Sequence, residues 1–265
     1  MFFSLGGVQL PKLYDGWFKK SRQIERDIVT ATKGSLKVGK PVEVTFFPVP
    51  NIDEVQFGTK TNQEFGKEVA LDLGMPPYKP GSNIKTYLVQ FSNVYWAKKL
   101  ADGLGGTVWA ACNDGLKKDL VTKPGRAKLC SVRKPETLQG IKKGDTVIIV
   151  SPGPRDEWER SAARFKEQKV IFLNGLVSES YDLGGPLLGL EQAYYLKRIS
   201  KGYVFRASPG KWGAYLEKPD GSLEVLESYK DRPLLRDVAK LVREESFNRF
   251  GMFNDRYAKG FGERL

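Results

Sequence analysis

Residues 145–175 read DTVIIVSPGPRDEWERSAARFKEQKVIFLNG, and this stretch decides the fold, because it holds a strand, a helix and a second strand with almost nothing between them. Val147 to Val150 is an unbroken apolar run, the pattern of a strand covered on both faces. Ser151-Pro152-Gly153-Pro154 then stops it with residues that a central strand cannot carry. The helix that follows puts Trp158, Ala162 and Phe165 on one face. Asp156 is expected to cap its N-terminus, and Glu159, three residues on, to complete a capping box. Val170 to Leu173 returns as the second strand. Two such strands predict a parallel pair with a right-handed crossover helix, and ligands of such sheets settle at the carboxyl ends of the strands. A candidate ligand loop therefore comprises Ser151, Gly153 and Arg155, with Asn174 at the end of the second strand. Arg155 beside a helix N-terminus suits a phosphate; Asp156, as the cap, would occupy that place and leave the loop structural.

Upstream, Trp17 to Thr32 places Trp17, Ile24, Ile28 and Ala31 at helical spacing, with Asp15 as the expected cap and Gly34 as the terminator. The polar face of this helix (Lys19, Lys20, Arg22, Arg26) suits contact with a membrane surface, but packing on a sheet is the reading the pattern favours. Gly34 to Lys40 has the spacing of a phosphate-cradling loop, but Pro41 stands where a Ser or Thr would hold magnesium. The stretch also closes a helix and opens a strand, the reverse of the order such a loop requires. Val42 to Phe47 reads as that strand. Thr61 and Glu64 form a second expected capping box, before a helix carrying Phe65, Val69 and Leu73 and ending at Gly74. Lys85 to Phe91 is expected as a short strand, and Ser92 as the cap of a helix bearing Tyr95, Trp96 and Leu100. Gly103-Leu-Gly-Gly106 lets the chain bend into a strand from Thr107 to Cys112. Ala127 to Val132 is a further candidate strand.

Downstream, a short helix is expected around Glu191 to Ile199, followed by strands Tyr203 to Ala207, Trp212 to Glu217 and Leu223 to Ser228. Lys218-Pro219-Asp220-Gly221 joins the last two as a hairpin, since proline presets the bend and glycine accepts positive φ. A helix from Pro233 to Phe250, capped by Asp231, aligns Leu234, Leu235, Val238, Leu241 and Val242. Phe253, Tyr257 and Phe261 in the tail from Gly251 to Leu265 would dock on the body or on a partner. The alternation predicts one α/β domain over residues 1–265. Its sheet is mixed and mostly parallel, with flanking helices and a C-terminal antiparallel hairpin.

The 265 residues contain two cysteines and no histidine. Cys112 and Cys130 cannot build a disulfide framework, which points to a reducing compartment. Lack of histidine removes Ser-His and Cys-His nucleophile pairs and nearly every zinc site, so no metal or other cofactor is expected. No run of 18 apolar residues is present to span a membrane, and MFFSLGGVQL at the start does not read as a signal or transit peptide. The net charge is +12, and it is unevenly spread. Lys117, Lys118, Lys123, Arg126, Lys128, Arg133, Lys134, Lys142 and Lys143 face only Asp119 and Glu136 between positions 117 and 143. Nine cations against two carboxylates leave that segment at +7. Such a segment is either a solvated loop region or a surface that attracts polyanions, anionic lipid or acidic protein faces.

Several stretches resemble a family of chloroplast and cyanobacterial proteins, a domain of unknown function that includes the low-photosystem-II-accumulation protein three of plants. They are Phe47-Pro-Val-Pro-Asn51 with Phe57-Gly58 and Asn62-Gln63, the strand and turn from Val147 to Gly153, and Val170 to Gly175. Tyr194-Tyr195-Leu196 and Pro209-Gly210-Lys211-Trp212 complete the set. The resemblance spans most of the chain and includes no catalytic signature. It implies a non-enzymatic accessory or assembly factor in the chloroplast stroma, peripherally attached to the thylakoid membrane. Its implied partners are photosystem core or antenna subunits, above all those of photosystem II, and the anionic thylakoid lipid surface. Two other classes stay open on the residues: a nucleotide- or phosphometabolite-binding enzyme using the loop at Ser151 to Arg155, and a nucleic-acid-binding protein using the basic segment. No recognisable nucleic-acid module accompanies the latter.

Overall fold

The structure, a computed structural model, describes residues 23–48, 60–75, 79, 83–112, 125–175, 189–219 and 222–251. Five helices flank one sheet: α1 (Gln23–Leu36), α2 (Lys60–Leu73), α3 (Asn83–Leu104), α4 (Arg155–Arg164) and α5 (Leu235–Phe250). The nine strands are β1 (Val42–Thr45), β2 (Val108–Ala111), β3 (Ala127–Cys130), β4 (Thr146–Val150), β5 (Lys169–Leu173), β6 (Glu191–Ile199), β7 (Gly202–Ala207), β8 (Trp212–Glu217) and β9 (Leu223–Tyr229). They lie in the order β3-β2-β4-β5-β1-β6-β7-β8-β9. Every pairing from β3 to β6 is parallel, and those from β6 to β9 are antiparallel. The expected mixed, mostly parallel α/β sheet is what forms. Its antiparallel part takes in four strands, of which the expected hairpin β8–β9 is the outer pair.

Strand alternation divides the core between two faces. Val42, Val44, Ile171, Leu173, Tyr194 and Leu196 point to the face covered by α1, α2 and α3. Val147, Ile149, Val170 and Phe172 point to the opposite face, where Trp158 of α4 and Phe165 just past its end meet them. Farther along that second face, Tyr195, Val204, Trp212 and Leu216 receive Leu235, Val238 and Val242 of α5. The decisive stretch folds as read: β4 and β5 pair in parallel, Ile148 level with Ile171, and Trp158 stacks on Phe172 with ring centroids 4.5 Å apart.

Several local expectations are corrected. Glu191 to Ile199 is strand, not helix, because the adjacent Tyr194 and Tyr195 are both fully buried on opposite faces. Opposed neighbours are the signature of a period of two, and aromatic residues suit it. Lys85 to Phe91 is no strand but lies in the first half of α3, a helix buried all round from Phe91 to Ala97, with Leu88, Phe91, Tyr95 and Leu100 all in the core. Ser92 lies inside that helix and donates its hydroxyl to the Leu88 carbonyl at 2.6 Å, the back-bond open to a mid-helix serine. Gly34 does not terminate α1, which runs on to Leu36; positive φ comes at Gly39 instead.

At α4 the cap position falls on Pro154, so Asp156 lies inside the first turn and pairs with Arg160 at 2.7 Å. Glu157, third in the helix, is the residue that reaches back. Proline offers it no N–H, and it accepts the Gly153 N–H at 2.9 Å. Asp231 does not cap α5 either, since Leu234 holds that position and no side chain bonds there. Pro233 keeps the preceding chain extended and pushes the helix start beyond Asp231. Asp15, Trp17, Asp220, Gly221, Phe253, Tyr257 and Phe261 lie outside the described residues, as do the side chains of Thr61 and Glu64. Among the described residues, no helix is long and apolar enough to cross a membrane.

Candidate functional site

The strand-end loop is held by its own backbone and by its neighbours. Ser151 and Asn174 both adopt positive φ, 47° and 50°, at the carboxyl ends of β4 and β5. The Ser151 N–H donates to the Leu173 carbonyl at 2.8 Å, which draws the two ends together. Asn174 gives its N–H to Val44 at 2.8 Å, accepts the Phe46 N–H on Oδ1 at 2.8 Å and donates Nδ2 to Oδ1 of Asn93 at 2.7 Å. One asparagine thus joins β5, β1 and α3. The Gly153 N–H is taken by Glu157, its carbonyl accepts the Trp158 indole N–H at 3.2 Å, and exposed Arg155 pairs with Glu159 at 3.2 Å. The structure brings Ser151, Gly153, Arg155 and Asn174 to one end of the sheet, but the bonds of Gly153, Arg155 and Asn174 are spent on architecture. The Ser151 hydroxyl is buried without a hydrogen-bond partner among the described residues.

The basic segment is gathered by Trp109. Lys117, Lys118 and Lys123 lie outside the described residues. Arg126 and Lys128 stand on β3 and just before it, at one edge of the sheet. The connection to β4 crosses β2 through a 3₁₀ turn at Pro135–Leu138. It carries Arg133 and Lys134 at its start and Lys142 and Lys143 at its end. Beneath it the Trp109 indole donates to Asp145 at 3.0 Å, and the same carboxylate accepts the Lys142 N–H at 2.9 Å. Lys128 Nζ lies 5.1 Å from the centroid of that indole. All six described cations are exposed. Among the described residues none of their side chains forms an ion pair, and the only acid in residues 125–144 is Glu136, so six cations against one leave +5 there. Cys130 and Cys112 lie beneath this edge as buried free thiols, and burial pushes both up to about 12.

A third site was not singled out in the sequence. On the face opposite α1–α3, β1 presents Glu43 and Thr45 between the α4 cluster and the α5 cluster, Glu43 level with Phe172 and Thr45 level with Tyr195. Glu43 is buried at 2% exposure. Its Oε1 accepts the Thr45 hydroxyl at 3.1 Å, and its Oε2 accepts Nη1 of Arg232 at 3.2 Å. Arg232, from the loop before α5, spreads its guanidinium 4.5 Å from the Tyr195 ring centroid and 5.6 Å from that of Trp212. A signal existed: in Val42-Glu-Val-Thr45 the apolar residues alternate with polar ones inside a sheet, so one face of β1 had to bury a charge. Its partner, 189 positions away, had no local mark.

Among the described residues no group of His, Cys, Asp and Glu is arranged to hold a metal ion. The sequence profile of a family described as a domain of unknown function (DUF1995) matches residues 23–240, from the first turn of α1 into α5. The match is to the family and singles out no one member. No curated protein and no solved structure is similar enough to match. With 23–240 of its 265 residues matched, the chain belongs to the DUF1995 family.

Proposed function

We propose that the protein is a plastid accessory factor that docks by the β3 edge of its sheet on acidic surfaces at the stromal face of the thylakoid, photosystem II subunits foremost. It works by binding and not by catalysis. The observation that carries the docking surface is the set of six exposed cations, Arg126, Lys128, Arg133, Lys134, Lys142 and Lys143, whose side chains form no ion pair among the described residues. Each basic residue near an anionic surface contributes about 1 kcal/mol, so a handful suffices for reversible attachment. The photosystem setting is supported by the sequence resemblance to chloroplast and cyanobacterial proteins.

The test is co-sedimentation with thylakoid membranes and photosystem II particles across a salt series, using the parent and a variant with Arg126, Arg133, Lys134, Lys142 and Lys143 changed to glutamine. The parent should sediment at low salt and be released as the screening length falls to about 8 Å at physiological ionic strength. The variant should stay folded and remain in solution. Equal sedimentation of both proteins would remove this edge from the docking surface, and efficient displacement by RNA would favour a nucleic-acid partner.

A further inference from the structure

The geometry points to a binding site for a small oxyanion, a carboxylate or phosphate, at Arg232 on the face of the sheet opposite α1–α3. The Arg232 side chain is 8% exposed, and its Nε and Nη2 are buried with no hydrogen-bond partner among the described residues. Buried polar groups are almost always bonded, and a guanidinium least tolerates being left unmatched. The two nitrogens lie along one edge of the guanidinium and aim two N–H bonds side by side. Paired carboxylate or phosphate oxygens accept that fork in two-pronged fashion.

The rest of the cluster sets the fork in place. Glu43 holds Nη1, and Thr45 in turn fixes the Glu43 carboxylate. Tyr195 and Trp212 carry the face of the guanidinium, their own rings 5.2 Å apart. Arg206 lies 5.6 Å from the centroid of the same Trp212 ring. Its nitrogens are taken by the carbonyls of Gly210 and Gln192 and by Glu191, so it adds positive potential without competing for the ligand. Glu43 already neutralises Arg232, which favours a singly charged oxyanion over a multiply charged one.

The site is distinct from the β3 edge, and the experiment keeps the two apart. Thermal unfolding of the whole chain is followed in chloride, acetate and inorganic phosphate at one ionic strength. Acetate or phosphate should raise Tm in a saturable way relative to chloride, since a ligand of the folded state alone stabilises it by mass action. Arg232→Lys keeps a cation facing Glu43 but lacks the fork, and should lose the shift. The double variant Lys142→Gln, Lys143→Gln should keep it. Should Arg232→Lys fail to fold, tryptophan fluorescence replaces it: the same anion should change the emission of the parent, and Trp212→Phe should abolish that change while retaining the Tm shift. An equal shift in parent and Arg232→Lys, a fluorescence change that survives Trp212→Phe, or no saturable response to either anion would overturn the proposal.

Discussion

Asn174 Oδ1 accepts the Phe46 N–H at 2.8 Å, one step beyond the last paired rung between β5 and β1, where Val44 stands level with Leu173. The same side chain reaches Asn93 on α3, so the sheet and its covering helix are joined at the point where the ladder runs out. Asn174→Ala should lose both bonds and leave a buried N–H unmatched, at about 1–3 kcal/mol. It also forces alanine into φ near 50°, where an ordinary side chain adds about 1–2 kcal/mol. Asn174→Gly loses the bonds and escapes the backbone strain, so it should be the milder change by about 1 kcal/mol. Urea unfolding of the three proteins measures the difference; equal losses would show that the bonds alone matter.

Trp158 and Gly175 are a coupled pair. Trp158 is 1% exposed and stacks on Phe172, so Trp158→Ala should cost about 3–5 kcal/mol, as large-to-small core changes do. A β-carbon at Gly175 would run into the same indole and, at 2.8 Å, into Pro152. Gly175→Ala should therefore destabilise the parent and cost less in the Trp158→Ala background, where the indole is gone and only the Pro152 contact remains. A double-mutant cycle by chemical denaturation reads the coupling. Strict additivity would mean that the backbone at Gly175 moves aside.

The decisive βαβ stretch was legible because two signals agreed there, a both-faces-apolar strand and turn residues that end it. Where the errors fell, two patterns competed. Glu191 to Ile199 has charges at both ends and helix-compatible spacing, and only the burial of Tyr194 and Tyr195 on opposite faces decides for a strand. Asp156 looks like a cap in sequence, but a proline one step earlier shifts the register and hands the bond to Glu157. Of the candidate sites, the exposure of the basic residues followed from charge alone, while their gathering around Trp109 needed the fold. Arg232 was beyond reach: nothing near an arginine beside a proline says that it closes on a strand 189 residues before it.

The two thiols give a pH prediction. Burial raises Cys112 and Cys130 from 9.0 to about 12. The folded protein keeps both neutral through the range in which unfolded cysteines ionise. Thiol reagents, which need the thiolate, should then react slowly with the native protein at pH 8–9 and fast once it is unfolded. The sign for stability follows: the folded pKa lies above the unfolded one, so the contribution is complete below pH 9 and declines between pH 9 and 12. Cys112→Ala with Cys130→Ala should flatten that decline. Rapid labelling of native protein at pH 8 would refute the burial of both thiols.

Glu43 and Arg232 should be worth little as a pair and much as individuals. Both are nearly inaccessible, at 2% and 8% exposure, so each pays desolvation that their 3.2 Å contact only offsets. Removing one strands the other. Glu43→Ala leaves a buried guanidinium without its counter-charge and should destabilise by about 3–5 kcal/mol. Replacing both, Glu43→Ala with Arg232→Met, removes the stranded charge as well and fills the space over Tyr195 with an adaptable apolar chain, so stability should recover most of that loss. Because the pair is buried, the Glu43→Ala penalty should hardly change between low salt and 1 M, unlike attachment through the β3 edge. Guanidinium chloride is itself a salt, so the comparison is made in urea with added sodium chloride. A double variant no more stable than Glu43→Ala would mean that Arg232 contributes through its stacking on Tyr195 and Trp212 more than through its charge, and a penalty that fades in salt would mean that water reaches the pair.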